Sequence, residues 1–115
     1  MTLATELTIS KIIKAPRAAV WRAWAEPHQF EKWWIPEPIK CKVVQMDLHP
    51  GGGFETLMSE NGAPFQPHVE GCFLEIIPHE RIIFTTVMKQ GWHPIEPWLA
   101  MTAIITMADD GPQTK

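Results

Sequence analysis

The sequence predicts an α+β fold in which two short helices precede an antiparallel sheet. Apolar side chains recur at helical spacing between residues 17 and 34. From residue 40 onward, short segments rich in β-branched residues alternate with turns that contain Pro and Gly. Because the connections between these later segments are short, consecutive strands should pair as hairpins, which makes the sheet antiparallel.

The first third of the chain predicts one strand and then two helices. Residues 6–14 contain β-branched side chains that roughly alternate with polar ones, which predicts a strand. Pro16 suits the first turn of a helix over residues 17–25. A second helix is predicted over residues 28–34, and the apolar face of each helix contains two tryptophans.

The rest of the chain predicts five strands joined by turns. The segment from Pro50 to Gly53 supplies flexible backbone for the first turn. Asn61-Gly62 favours positive φ in the second turn. The strands are predicted at residues 40–48, 54–59, 69–77, 81–88 and 98–107.

Length and charge limit the class of protein. A chain of 115 residues and 13.1 kDa has the size of one domain, so we expect a single domain over residues 1–115. The net charge of -3, with basic residues scattered singly, predicts no nucleic-acid partner. No apolar stretch approaches the ~20 residues of a membrane span, and the first residues lack the pattern of a signal peptide. We therefore expect a cytoplasmic protein with no membrane partner.

Cysteine and histidine spacing gives no sign of a metal site. Cys41 and Cys72 are far apart and outside any metal-finger spacing, which predicts reduced thiols packed in strands. The five histidines form no metal-binding motif. The glycines at residues 51–53 precede a predicted strand, whereas a phosphate loop would precede a helix. The sequence predicts neither a metal nor another cofactor.

Three stretches together carry a resemblance to a known family. Residues 13–36 contain the dipeptides Ala15-Pro16 and Val20-Trp21 and the tripeptide Trp34-Ile35-Pro36. Residues 46–54 contain a proline-glycine-glycine turn, and residues 71–82 contain glutamate-isoleucine, proline and glutamate-arginine in that order. In this order and spacing, the stretches resemble the Hsp90 ATPase activator-like branch of the SRPBCC (START and Bet v 1-like) superfamily. His49 stands where that family usually has arginine.

The resemblance implies a helix-grip fold. In such a fold, a curved antiparallel sheet encloses a cavity, and two short helices follow the first strand. The family continues beyond the turn at residues 109–112 with a last strand and a long C-terminal helix that closes the cavity, whereas this sequence stops at Lys115. We therefore expect the sequence to represent the family fold incompletely. A concave sheet without that helix exposes apolar surface, which predicts self-association, for example as a homodimer.

Most candidate binding residues are aromatic, and plain packing explains the three tryptophans among them equally well. The candidates for lining or orienting a ligand are Trp34, Phe54, Phe65, His68, Glu75, Phe84, Trp92 and Trp98. Strand periodicity does not decide whether Glu75 points into a cavity or into solvent, because apolar residues occur on both faces of its strand.

The sequence leaves three functions open. The first is binding of a small hydrophobic molecule between the sheet and the helices, and it requires no motif that the sequence lacks. The second is an enzyme similar to polyketide cyclases and aromatases, with His68 and Glu70 as the acid–base pair. The third is an interaction with Hsp90 or a role in stress response. Hsp90 is a disfavoured partner, because we expect no second domain for a large chaperone interface.

Overall fold

The computed structural model describes residues 7–97 and 100–115. The elements are helices α1 (Arg17–Ala25) and α2 (Pro27–Phe30) and strands β1 (Lys40–Met46), β2 (Gly53–Ser59), β3 (Gln66–Ile77), β4 (Arg81–Thr85), β5 (Met88–Lys89), β6 (His93–Pro94), β7 (Thr102–Thr106), β8 (Asp109–Asp110) and β9 (Gln113–Thr114). Five strands form one sheet in the order β1-β2-β3-β4-β7, and β5–β6 and β8–β9 are separate small hairpins.

The two helices follow each other along the chain, and a proline marks the beginning of each. Pro16 is the N-cap of α1, and α1 ends where the backbone N–H of Glu26 donates to the carbonyl of Arg22. Pro27 then occupies the first turn of α2, a position that needs no N–H donor. The second helix ends at Phe30 rather than at residue 34 as predicted, and turns follow it before Pro36 removes a further donor.

The large sheet is an antiparallel meander, as predicted. Each neighbouring pair of strands is antiparallel, and three of the four pairings contain an irregularity in register. Bulges bend the strands that carry them and increase the local twist, which gives the sheet its curvature. The predicted α+β class and curved antiparallel sheet with two short helices are therefore confirmed.

The predicted strand over residues 6–14 is wrong for residues 7–12 and for Lys14. Ile13 forms an isolated antiparallel bridge with Thr114, and no described residue before it belongs to a strand. Leu7 and Ile9 are 85% and 80% exposed. Alternating side chains define a face, but a strand also needs a neighbouring backbone to accept and donate its hydrogen bonds. Residue 6 lies outside the described residues.

Three other predicted strands are shorter than expected. The strand predicted over residues 40–48 ends at Met46. The chain leaves the sheet at the end of β4, Thr85, and residues 88–89 form β5 in a separate hairpin. The strand predicted to begin at residue 98 begins at Thr102, and residues 98 and 99 lie outside the described part of the chain.

The hydrophobic core lies between the helices and one face of the sheet. Val20 of α1 and Phe30 of α2 pack against buried sheet residues, among them Phe54, Phe73 and Phe84. Phe73 and Phe84 are partners in the β3–β4 register, so both side chains point to the same face. The apolar face of the helices therefore covers the apolar face of the sheet.

Candidate functional site

A cleft of about 290 Å³ lies at one end of the sheet. One side is formed by residues 67–70 of β3 together with Glu55 of β2, and the other by Thr86, residues 95–97 and Met101. We call it the His68 cleft. Its walls combine apolar side chains with carboxylates and one imidazole, a composition that suits recognition of a small organic molecule.

The cleft exists because β3 is longer than β4. Cys72 pairs with Thr85, the last residue of β4, so the part of β3 before Cys72 extends past its neighbour. The chain leaves the sheet after Thr85 and re-enters it at Thr102, and we call the segment from Thr86 to Met101 the excursion. The backbone N–H of Thr86 donates to the Met101 carbonyl at 2.9 Å. The Met101 N–H donates to the Thr86 hydroxyl at 2.8 Å, so the two ends of this excursion are tied together.

His68 lies beside a bulge and contributes the imidazole of the cleft. The register of β2 and β3 shifts between Thr56 and Leu57, opposite His68. His68 Nδ1 lies 3.2 Å from the hydroxyl of Thr56, whose side chain is fully buried. Burial lowers the pKa of His68 from its ordinary value of 6.5 because it disfavours the charged imidazolium. A neutral imidazole can accept or donate a hydrogen bond at neutral pH.

Three carboxylates, from Glu55, Glu70 and Glu96, also line the His68 cleft. Glu55 and Glu70 are direct partners in the β2–β3 register and so lie on one face of the sheet. None of the three forms an ion pair with another described residue. The cleft therefore concentrates negative charge.

The aromatic candidates Trp34, Phe54 and Phe84 lie together, but in the core. The Phe54 and Phe84 rings are 5.2 Å apart between centroids, and Trp34 lies 5.9 Å from Phe54 and 6.3 Å from Phe84. Phe54 and Phe84 are 2% and 3% exposed. These rings occupy the space between helices and sheet where the resemblance implied a cavity, so the His68 cleft lies elsewhere. A binding role for the three residues stays a prediction.

The other sequence candidates are separate from this cleft. Phe65 is 44% and Trp92 48% exposed. The carboxylate of Glu75 lies 3.6 Å from the Arg81 guanidinium, and both side chains are partly exposed. Trp98 lies outside the described residues. Of the candidates that the structure describes, His68 alone lines the cleft.

Sequence reasoning missed most of the cleft wall. Ile95 and Met101 carry no motif, and only the path of the chain between Thr86 and residue 101 brings them opposite β3. One signal could have identified the carboxylates. Pairing residues 54–59 and 69–77 as a hairpin places two glutamates within a short distance of each other along neighbouring strands.

The described residues give no site for a metal ion. Among them, no group of three His, Cys, Asp or Glu side chains could hold one. Cys41 and Cys72 are free thiols in β1 and β3. Within the described ranges, no helix is long and apolar enough to cross a membrane.

The curved antiparallel sheet and the two short helices define a protein of the Bet v 1-like class. The family model described as "Activator of Hsp90 ATPase homolog 1-like protein" matches residues 14–115, and the chain belongs to that family. No curated protein matches the chain.

Solved structures agree with this assignment. A protein from Nitrosomonas europaea is 31% identical, with a TM-score of 0.82 over 90% of this chain and 68% of its own. A protein from Chromobacterium violaceum is 30% identical, with a TM-score of 0.71 over 90% of this chain and 70% of its own. A Mycobacterium smegmatis protein, 22% identical with a TM-score of 0.70, shares the fold; the match covers 90% of this chain and 64% of that protein.

Proposed function

We propose that this domain binds a small, mostly apolar organic molecule in the His68 cleft. The observation that carries the proposal is the cleft itself, with a volume of about 290 Å³ and walls that include Val69, Ile95 and Met101. Such a volume lies near the lower end of the range for small-molecule sites, so we expect an occupant of about 10 to 15 non-hydrogen atoms. Membership of a family whose fold is built around a curved sheet supports a binding role.

The walls suggest how the molecule is held. Val69 is buried in β3 and Met101 packs against the hydrophobic core, so both belong to a rigid part of the domain. Ile95 faces them from the excursion between Thr86 and Met101. An apolar body between these side chains is removed from water, which supplies most of the affinity. His68 then orients the molecule by one hydrogen bond.

A titration with 4-phenylbutanol, a neutral apolar compound of suitable size, tests this proposal. NMR chemical shifts should change at Val69 and Met101, with saturable binding. The variant Ile95→Trp should fill the cleft and abolish the effect. Val44→Trp is the control, because Val44 is 52% exposed on β1 and lies outside the cleft. Equal binding by Ile95→Trp and the unmodified chain would overturn the proposed site.

Acid–base catalysis is a second candidate function, favoured by one observation. His68 and Glu70, which the sequence suggested as a pair, both line the cleft. A neutral imidazole can remove a proton next to a carbonyl group, and a nearby carboxylate can stabilise the resulting imidazolium. The test is exchange of the protons next to the carbonyl of 4-phenyl-2-butanone in D₂O, followed by NMR. Exchange should be faster with the protein than without it, and His68→Gln should remove the difference. Identical exchange with and without protein would exclude this activity for such ketones.

A further inference from the structure

The charge of the His68 cleft is not neutralised by its own walls. Glu55, Glu70 and Glu96 line it, and no Lys or Arg among the described residues belongs to the lining. The ion pairs between Lys or Arg and carboxylates in the described chain join Arg17 to Asp109 and Arg81 to Glu75. A positively charged molecule that enters this cleft can therefore form ion pairs with these carboxylates.

The register of the sheet places two of these glutamates directly opposite each other. Glu55 pairs directly with Glu70, and its partner on the other side, in β1, is the neutral Gln45. Like charges directly opposite each other destabilise an antiparallel pair. Unfavourable pairings of this kind are expected mainly at functional sites, where a bound ligand can offset their cost. A cation bound near both glutamates would be attracted by each of them.

We propose that the cleft selects small apolar molecules that carry a positive charge, such as an ammonium or amidinium group. This inference rests on the function proposed above and adds the class of ligand. The charged group lies near Glu55 and Glu70, and the apolar body lies against Ile95 and Met101. Glu96 adds a third negative charge at the same cleft. The net charge of -3 attracts cations to the whole domain, so the test must separate this general effect from the cleft.

Three compounds of nearly equal shape test the charge preference. They are 4-phenylbutylamine, 4-phenylbutanol and 4-phenylbutyrate, which are cationic, neutral and anionic at about pH 7. Dissociation constants are measured by NMR titration of the full chain at low and at moderate salt. We expect the amine to bind about tenfold more tightly than the alcohol, and the carboxylate to bind more weakly than both. Added salt should reduce the difference between the dissociation constants of the amine and the alcohol.

The double variant Glu55→Gln/Glu70→Gln assigns the preference to the cleft. It removes the repulsion between β2 and β3, so the sheet should fold at least as well as before. The amine should then bind about as weakly as the alcohol, whose own dissociation constant should not change. Glu60→Gln/Glu80→Gln is the matched control, because both glutamates are exposed and lie outside the cleft. Each double variant changes the net charge by the same amount, from -3 to -3 + 2 = -1.

The outcomes separate this inference from the function on which it rests. If the alcohol binds as tightly as the amine to the unmodified chain, the cation preference is overturned while binding of an apolar molecule stands. If none of the three compounds binds, the proposed function itself fails and this inference fails with it. If the control double variant loses the preference to the same extent as the cleft variant, the attraction belongs to net charge, and the assignment to Glu55 and Glu70 is overturned.

Discussion

Glu31, directly after α2, accepts a hydrogen bond of 2.8 Å from the backbone N–H of Val43 through its Oε2 atom. Val43 belongs to β1, the first strand of the sheet, whose outer edge faces no other described strand. The irregularity in the β1–β2 register begins at this residue. The side chain of Glu31 thus supplies an acceptor where the edge strand has no backbone partner, and it ties the helical segment to the sheet.

Replacing Glu31 by Ala should lower the stability of the domain. The substitution leaves the partly buried N–H of Val43 without its acceptor, and a hydrogen bond to a charged group contributes about 1.5 to 3 kcal/mol. We expect a loss near the lower end of that range in the free energy of unfolding from urea titration. Glu31→Gln retains an acceptor oxygen and should lose less. Equal stability of Glu31→Ala and the unmodified chain would show that water replaces the carboxylate without cost.

The thiol of Cys41 should react slowly in the folded domain. Burial, and secondarily the negative charge of Glu31, raises its pKa from 9.0 to about 11. Because the thiolate is the reactive form, alkylation by iodoacetamide at about pH 8 should be slow. Glu31→Gln removes the charge and should lower the pKa of Cys41 and accelerate alkylation, measured for the Cys41 peptide by mass spectrometry. An unchanged rate in this variant would show that burial alone raises the pKa of Cys41.

Phe54 should be far more important for stability than Phe65. Phe54 is 2% exposed within the core cluster, whereas Phe65 is 44% exposed. Phe54→Ala leaves a cavity among aromatic rings and should cost about 3 to 5 kcal/mol in the free energy of unfolding. Phe65→Ala should cost less than about 1 kcal/mol. Similar losses in the two variants, by urea titration, would contradict the position of Phe54 in the core.

The stability of the domain should fall as the pH drops below about 6.5, in part because of His68. Burial lowers the pKa of folded His68 below its ordinary 6.5, so below that pH the unfolded chain binds a proton that the folded chain resists. Protonation therefore favours unfolding in this window. His68→Gln should make stability less dependent on pH between about pH 5 and 7. His93→Gln, at an exposed position in β6, is the control and should retain the pH dependence. The prediction fails if both variants show the same pH dependence.

Gly52 should tolerate no side chain. A Cβ atom at this position would overlap the backbone carbonyl oxygen of Asp47, which a side-chain movement does not relieve. We expect Gly52→Ala to cost about 2 to 3 kcal/mol in the free energy of unfolding. Gly62→Ala is the comparison, because a Cβ there meets nothing within 4 Å and only the φ of +74° opposes it. A smaller loss in Gly52→Ala than in Gly62→Ala would contradict the tight turn before β2.

The sequence predicted the elements whose interactions are local. The apolar face of residues 17–25 and the prolines before and after it predict α1 correctly, because both signals act within a few residues. The strands from Lys40 to Ile77 form near their predicted positions, since short turns leave antiparallel pairing as the simplest outcome.

Prediction from the sequence was wrong or incomplete where the structure depends on contacts between distant parts of the chain. The predicted strand over residues 6–14 has the composition of a strand, but of its described residues only Ile13 pairs with another backbone, at Thr114. The position of the cleft depends on where β4 ends and on how the chain returns at Met101, which no local pattern encodes. Aromatic residues at strand positions predict burial, yet they do not distinguish a filled core from the wall of a cavity.

The paired hydrogen bonds between Thr86 and Met101 have a consequence for how the family can diversify. They close the base of the excursion, so the register of β4 and β7 does not require a particular sequence between them. Surface segments of this kind tolerate insertions and replacements well. Ile95 and Glu96, which face β3 from this segment, can therefore mutate without loss of the sheet. Substitutions at these positions change the chemistry of the cleft wall while the scaffold stays constant.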